Sequence, residues 1–223
     1  MKITKISKQK NRSDKYNVYV DEIFAFGITA TNLIKEKIAS GDEISKDRLE
    51  ELKEKSAYTT LLDNALNFLA SRPHSQKEVE IYLKKRIYKK DELRKLDKTQ
   101  QEKISEKIIL HLKKHKYLDD NEFANWFTNQ RTKSRSSKGR SIIFNELLAK
   151  GIDHEIAKNS VSQISDQLEL KNAILLTQKK YSSFKINKEE VSKAKQKLIT
   201  HLYSKGYPIE ICRHAVDSVI SGP

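Results

Sequence analysis

"LLAKGIDHEIAKNSVSQI" at residues 147–164 and "LYSKGYPIEICRHAVDSV" at residues 202–219 are one passage written twice. At an offset of 55 residues, Leu147 meets Leu202 and Lys150-Gly151 meets Lys205-Gly206. Glu155-Ile156 meets Glu210-Ile211, and Val161 meets Val216. The Lys-Gly pair reads as the end of a helix, because glycine adopts the left-handed cap position without Cβ strain. The next helix starts near Asp153 in one copy and Pro208 in the other, two different solutions to unpaired helix-start amides. Ile156, Val161 and Ile164, like Ile211, Val216 and Val219, then supply one apolar face. The repeated unit is a helical hairpin, which predicts an array of stacked units.

An altered copy lies in "LLDNALNFLASRPHSQKEVEIYLKKR" (61–86). A helix breaks there at Arg72-Pro73, and a second is capped by Ser75, with Glu78 three positions on to complete a capping box. A charged insertion, "IYKKDELRKLDKTQQ", reads as a long mobile connection to a third helix over 102–115. The opening helices of the three units are "LLDNALNFLASR", "DNEFANWFTNQRTK" and "LELKNAILLTQKKY". The expected fold is mainly α: an elongated tandem array of three three-helix repeats over 58–116, 117–165 and 166–223.

Residues 1–57 differ. "ITKISKQ" (3–9) and "YNVYVDEIFAFGI" (16–28) carry strand character, with Asp21-Glu22 placed to turn a hairpin. "ATNLIKEKIAS" and "SKDRLEELKEKSAY" read as helices separated by Gly41, the second capped by Ser45. This is a small strand-bearing α/β extension.

Composition agrees. Only 37% of the 223 residues are apolar and 33% are charged, with six Gly and three Pro, which suits many surface-exposed helices. Forty-four basic against 30 acidic residues give a net charge of +14, which favours polyanions or an acidic protein face as partner. No stretch approaches the roughly 18 apolar residues of a membrane helix. The first 15 residues lack a signal peptide's apolar core, so the cytoplasm is expected.

Nothing in the chain reads as an active site. "SSKGRS" lacks the spacing and glycines of a phosphate loop. His111 and His115 share a helix face but belong to no metal-binding motif. The single cysteine, Cys212, reads as inert packing. Asp119 and Asp120 read as a helix start that complements its amide-rich end. No catalytic residue, metal or cofactor is expected.

The chemistry lies in basic side chains beside an aromatic helix. Phe123, Trp126 and Phe127 form an apolar stripe that anchors the helix ending at Arg131 and Lys133. Arg135, Lys138 and Arg140 follow in the turn to the next helix, which Ser136 or Ser137 would cap. Arg72, Lys77, Lys84, Lys85 and Arg86 are the candidates in the first unit, and Lys179, Lys180, Lys193 and Lys197 those in the third. Gly151 and Gly206 are structural anchors. No pattern specifies base edges, so recognition by shape and charge is expected.

"ALNFLASRPHSQKEVEIYLKKR", "YLDDNEFANWFTNQRTKSRSSKGRSIIFNELLAKGIDHEI" and the final "LYSKGYPIEI" resemble the RecX family, bacterial regulators of the RecA recombinase. The resemblance covers residues 58–220, and the strand-bearing start resembles the extension of members from low-GC Gram-positive bacteria. It departs at Ile87 and the charged insertion, where many members have a glycine-bearing link, and at Asp21-Glu22, where relatives often have Asp-Gly. The resemblance implies a non-enzymatic monomer that binds the RecA filament on single- or double-stranded DNA. It also implies inhibition of recombinase, ATPase and coprotease activities, and hence of recombination and the SOS response. Two other readings rest on the residues alone: an autonomous, sequence-nonspecific DNA-binding module, and a helical scaffold for an acidic protein.

Overall fold

A computed structural model describes residues 1–9, 12–133, 137–183 and 191–221. The chain divides into two compact units, Met1–Arg72 with Val79–Leu118, and Pro73–Glu78 with Asp119–Pro223.

The first unit opens with an antiparallel sheet in the order β1 (Ile3–Gln9), β2 (Arg12–Val20), β3 (Ile23–Thr29). Ile3, Val18, Val20, Phe26 and Ile28 pack with Ile44, Leu49 and Leu52. The hairpin expected at Asp21-Glu22 forms without glycine: both residues have positive φ, 48° and 64°, as a two-residue primed turn requires. Contacts to Lys2 and Thr4 brace the turn. The Asp21 carboxylate accepts the Lys2 amide at 2.9 Å, and the Glu22 amide donates to Thr4 Oγ1 at 3.0 Å.

Helix α1 (Ala30–Lys35) is shorter than predicted, and Lys37 takes a left-handed φ of 52° just beyond it. Helix α2 (Lys46–Leu69) starts at the predicted cap, where Ser45 Oγ accepts the Arg48 amide at 3.2 Å. It then corrects the sequence reading. The two helices expected on either side of residues 57 and 58 are one unbroken helix. No Gly or Pro interrupts it, and Thr59 Oγ1 donates back to the Lys55 carbonyl at 3.0 Å, so its hydroxyl is satisfied within the helix.

The second half of α2 packs through Ala57, Leu61 and Ala65 on α3 (Gln76–Lys89) and α5 (Lys98–Lys114). The charged insertion is likewise corrected from connection to structure. Helix α3 runs on to Lys89, α4 (Asp91–Arg94) follows, and Leu93 and Leu96 enter the same core. Helix α5 starts before residue 102 because Asp97 and Gln100 form a capping box: Asp97 accepts the Gln100 amide at 2.8 Å, and Gln100 accepts the Asp97 amide at 3.1 Å.

In the second unit, α6 (Asp120–Lys133), α7 (Arg140–Ala149) and α8 (His154–Ser162) enclose Phe123, Phe127, Ile143, Leu147 and Ala157. Helices α9 (Asp166–Tyr181), α10 (Val191–Ser204) and α11 (Ile209–Ile220) enclose Ala173, Leu198, Leu202, Tyr207 and Val216. The duplicated Lys-Gly links have one geometry. Gly151 and Gly206 take φ of 80° and 88°. Ile152 donates to Leu147 at 3.1 Å, as Tyr207 does to Leu202 at 3.4 Å. These are the paired closing bonds of a left-handed helix cap. Asp153 caps α8 through the Glu155 amide at 2.8 Å.

Candidate functional site

Helix α6 carries the aromatic stripe. Asp119 caps it, accepting the Asn121 and Glu122 amides at 2.8 and 3.3 Å. Asp120 does something the sequence did not suggest: it accepts the Gln76 amide at 2.9 Å, capping the first turn of α3 instead. Phe123 and Phe127 are buried with ring centroids 5.7 Å apart, and Trp126 is half-buried against both. The expected anchoring role therefore falls mainly on the two phenylalanines. Arg131 lies 4.7 Å over the Phe127 ring, and its Nε donates to Glu146 at 2.6 Å.

Beyond α6 the chain is fastened at both ends. Asn172 Nδ2 donates to the Thr132 carbonyl at 3.0 Å, and the Lys138 amide donates to the Arg131 carbonyl at 3.2 Å. Ser137 and Tyr207 share a buried hydroxyl–hydroxyl bond of 2.8 Å. The Gly139 amide donates to the Lys205 carbonyl at 2.9 Å, and the Arg140 amide to Glu169 Oε1 at 3.0 Å. The Arg140 guanidinium bonds the Ile164 carbonyl and Asp166, while its Nε faces the second Glu169 oxygen at 3.2 Å as an ion pair without hydrogen-bond alignment. Glu169 is only 2% exposed. Burial pushes its carboxyl above the usual range, against the Arg140 amide and charge.

These contacts share a register. Ala65, Ala124 and Ala173 are all fully buried, in α2, α6 and α9. Seven residues after each stands a cation: Arg72, Arg131 and Lys180. Four residues before stand Leu61, Asp120 and Glu169. The two acids at that position each cap the first amide of another helix, α3 or α7.

The predicted basic residues separate into two kinds. Lys84, Lys85 and Arg86 are exposed on α3, Lys133 at the end of α6, Lys179 and Lys180 at the end of α9, and Lys193 and Lys197 on α10. Arg72 and Lys138 are half-buried. Arg131 and Arg140 are drawn into the ion pairs above. Lys77 spends its methylenes covering Gly151, with Nζ 3.4 Å from the Ala149 carbonyl. Arg135, and Ser136 as an alternative cap, lie outside the described residues. Burial, then the charges of Lys205 and Lys180, lower the pKa of His201.

Sequence reasoning missed the stack of Phe68 on Tyr82, 4.2 Å apart with planes 5° from parallel, and Arg86 lying 5.0 Å from the Tyr82 ring. The four-residue spacing of Tyr82 and Arg86 was the available signal. It also missed Asn172, Glu169 and the Ser137–Tyr207 bond, which join residues far apart in the chain. His111 and His115 do share a face, with rings 4.5 Å apart. Among the described residues no three His, Cys, Asp or Glu side chains converge for a metal, and no helix is long and apolar enough to cross a membrane. Cys212 is buried, and burial pushes its thiol up to about 11, where it stays protonated.

Two family descriptions match the chain: "Regulatory protein RecX N-terminal domain" over residues 1–45 and "RecX, third three-helix domain" over residues 167–216. A regulatory protein RecX of Listeria monocytogenes is 31% identical over 222 residues, covering 99% of this chain and 77% of its own. The Clostridium botulinum protein of that name is 29% identical over 220 residues, covering 99% and 97%. That of Bacillus subtilis is 31% identical over 217 residues, covering 97% and 76%. A crystal structure of regulatory protein RecX superposes with a TM-score of 0.65 at 20% identity, covering 99% of both chains. That of RecX from Lactobacillus salivarius superposes at 0.57 and 24%, covering 73% of this chain and 96% of its own. The two superpositions bear on the fold alone.

Proposed function

This chain belongs to the RecX family, non-enzymatic regulators of the RecA recombinase, and on that premise we propose that it restrains recombination by binding the RecA filament on DNA. The match to regulatory relatives over 99% of this chain carries this reading. It is supported by the exposed cations of α3, α6, α9 and α10, which offer phosphate contacts without base-edge chemistry. In this reading the helices form three repeats, opened by the second half of α2, by α6 and by α9, and each repeat offers its own cations to a polyanion. Arg131, Arg140 and Lys77 shape their repeats more than they touch the ligand.

The test is the DNA-dependent ATPase and strand exchange of the cognate RecA, measured with increasing amounts of this protein. Inhibition at or below stoichiometric levels is expected. Unchanged activity of an intact filament, with folded protein present, defeats the reading. The net charge of +14 favours one competitor, an autonomous DNA-binding module. Equal affinity for bare and RecA-coated DNA would favour that module.

A further inference from the structure

We propose that Tyr207, Asn172 and Glu169 are positioning residues that hold Lys133 and Lys138 ready for a phosphate backbone, without touching it themselves. The inference rests on the proposed polyanion-binding function and concerns how that surface is kept in shape.

Lys133 follows Thr132 directly, and the Thr132 carbonyl, one of the unpaired acceptors at a helix end, receives Asn172 Nδ2 at 3.0 Å. Lys138 stands between two fastened residues. Ser137 meets Tyr207 at 2.8 Å, and Gly139 donates to the Lys205 carbonyl at 2.9 Å. The Arg140 amide then ends on Glu169 at 3.0 Å. Asn172 and Glu169 belong to α9, and Tyr207 to the α10–α11 turn, so the flanks of the basic segment are held by side chains far from it in sequence.

Burial gives these anchors their grip. Tyr207 is 1% exposed and Ser137 4%, so breaking their bond would leave two hydroxyls without water or a partner. Burial also keeps the Tyr207 phenol protonated, its pKa pushed up to about 12 despite the Ser137 bond. A backbone fixed before binding loses less freedom on binding, so its lysines contribute more affinity than the same lysines on a loose chain.

Tyr207 and Asn172 carry no charge, which separates their effect from that of a phosphate contact. The number of counterions released counts contacting cations, at roughly 0.7 per phosphate on a single strand. The experiment is a salt titration of the full chain binding a fluorescein-labelled single-stranded oligothymidine. Lys133→Gln with Lys138→Gln should lower the salt slope by roughly 1.4. Tyr207→Phe and Asn172→Ala should each weaken binding roughly fivefold at an unchanged slope, the effect of one lost hydrogen bond. Glu169→Ala should weaken binding similarly, and Glu169→Gln, which keeps an acceptor for the Arg140 amide, should restore it.

Urea unfolding midpoints establish that each variant is fully folded under the titration conditions. If Tyr207→Phe does not fold, Ser137→Ala removes the same bond from its other end. Wild-type affinity in Tyr207→Phe (or its substitute) and Asn172→Ala overturns the inference. So does a slope that falls in those variants, or an unchanged slope in the double lysine variant. A wild-type chain that binds no oligothymidine, bare or RecA-coated, overturns the proposed function itself.

Discussion

Asp120 accepts the Gln76 amide at 2.9 Å, so the first residue of α6 caps a helix that begins 44 positions earlier. Glu169 bears the same relation to Arg140 at 3.0 Å. Each acid accepts a helix-start amide and meets the positive end of the helix it caps. Asp120→Ala should cost about 1 kcal/mol, the usual value of a lost cap, read as a lower urea midpoint. The Gln76 amide should also exchange faster with solvent while the core amides of α6 keep their protection. A slowly exchanging Gln76 amide in the variant would refute the capping role.

Glu169 adds a pH dependence. Burial raises its carboxyl above the usual 4.5, so the folded protein holds that proton more tightly than the unfolded chain does. The stability this contributes is fully present below the unfolded value and is lost as pH rises through the folded one. Glu169→Gln keeps an acceptor but removes the ionisation. It should gain stability relative to wild type as pH rises above 4.5, measured by urea unfolding at several pH values. A difference that is constant with pH, or runs the other way, would show that the Arg140 charge outweighs burial.

The same residues show what was legible in the sequence. The helix ends at Gly151 and Gly206, and the caps at Ser45, Ser75 and Asp153, are local events with local signals, and Ser75 does accept the Glu78 amide at 3.2 Å. The boundary near residue 58 was misread because an apolar pattern changes there without any residue that ends a helix. The Asp97–Gln100 box was legible in principle but hidden inside a charged run. Asp120 on Gln76, Tyr207 on Ser137 and Arg140 on Glu169 depend on the fold bringing distant residues together, so no local pattern reports them. Arg140 therefore read as an available cation, although its guanidinium is engaged by Asp166 and Glu169.

The aromatic stripe can be ranked by burial. Phe123 is fully enclosed, and Trp126 only half. Phe123→Ala should cost about 3–5 kcal/mol through lost burial and a cavity. Trp126→Ala should cost about 1–2 kcal/mol, in proportion to the smaller area it covers. Urea unfolding followed by far-ultraviolet circular dichroism measures both without relying on the single tryptophan. A larger loss for Trp126→Ala would reverse the assignment of the anchor.

Gly139 tests the packing at the start of α7. A Cβ added there would lie 2.1 Å from the Gly206 carbonyl oxygen and 2.5 Å from the Tyr207 amide nitrogen, all backbone atoms that cannot swing aside. Gly139→Ala must therefore push α7 away from the α10–α11 turn, breaking the Gly139–Lys205 bond. A cost above about 3 kcal/mol is expected, at the upper end for overpacking. A midpoint within about 0.5 kcal/mol of wild type would mean that this close approach does not exist in solution.

His201 offers a probe of the proposed ligand surface. Burial, then Lys205 and Lys180, lower its pKa below 6.5. Its charged form is disfavoured in the folded state, so the associated stability is present above the unfolded value and is lost as pH falls through the folded one. A phosphate backbone lying across Lys180 would neutralise part of that field and leave the burial unchanged. Binding of a single-stranded oligothymidine should therefore raise the His201 pKa, read from its imidazole proton shifts by NMR titration, with His201→Gln used to assign the signal. The rise should fade as added salt weakens binding. A His201 signal that titrates identically with and without saturating oligonucleotide would remove the α9–α10 lysines from the contact surface, while leaving Lys133 and Lys138 to be judged by their own salt slope.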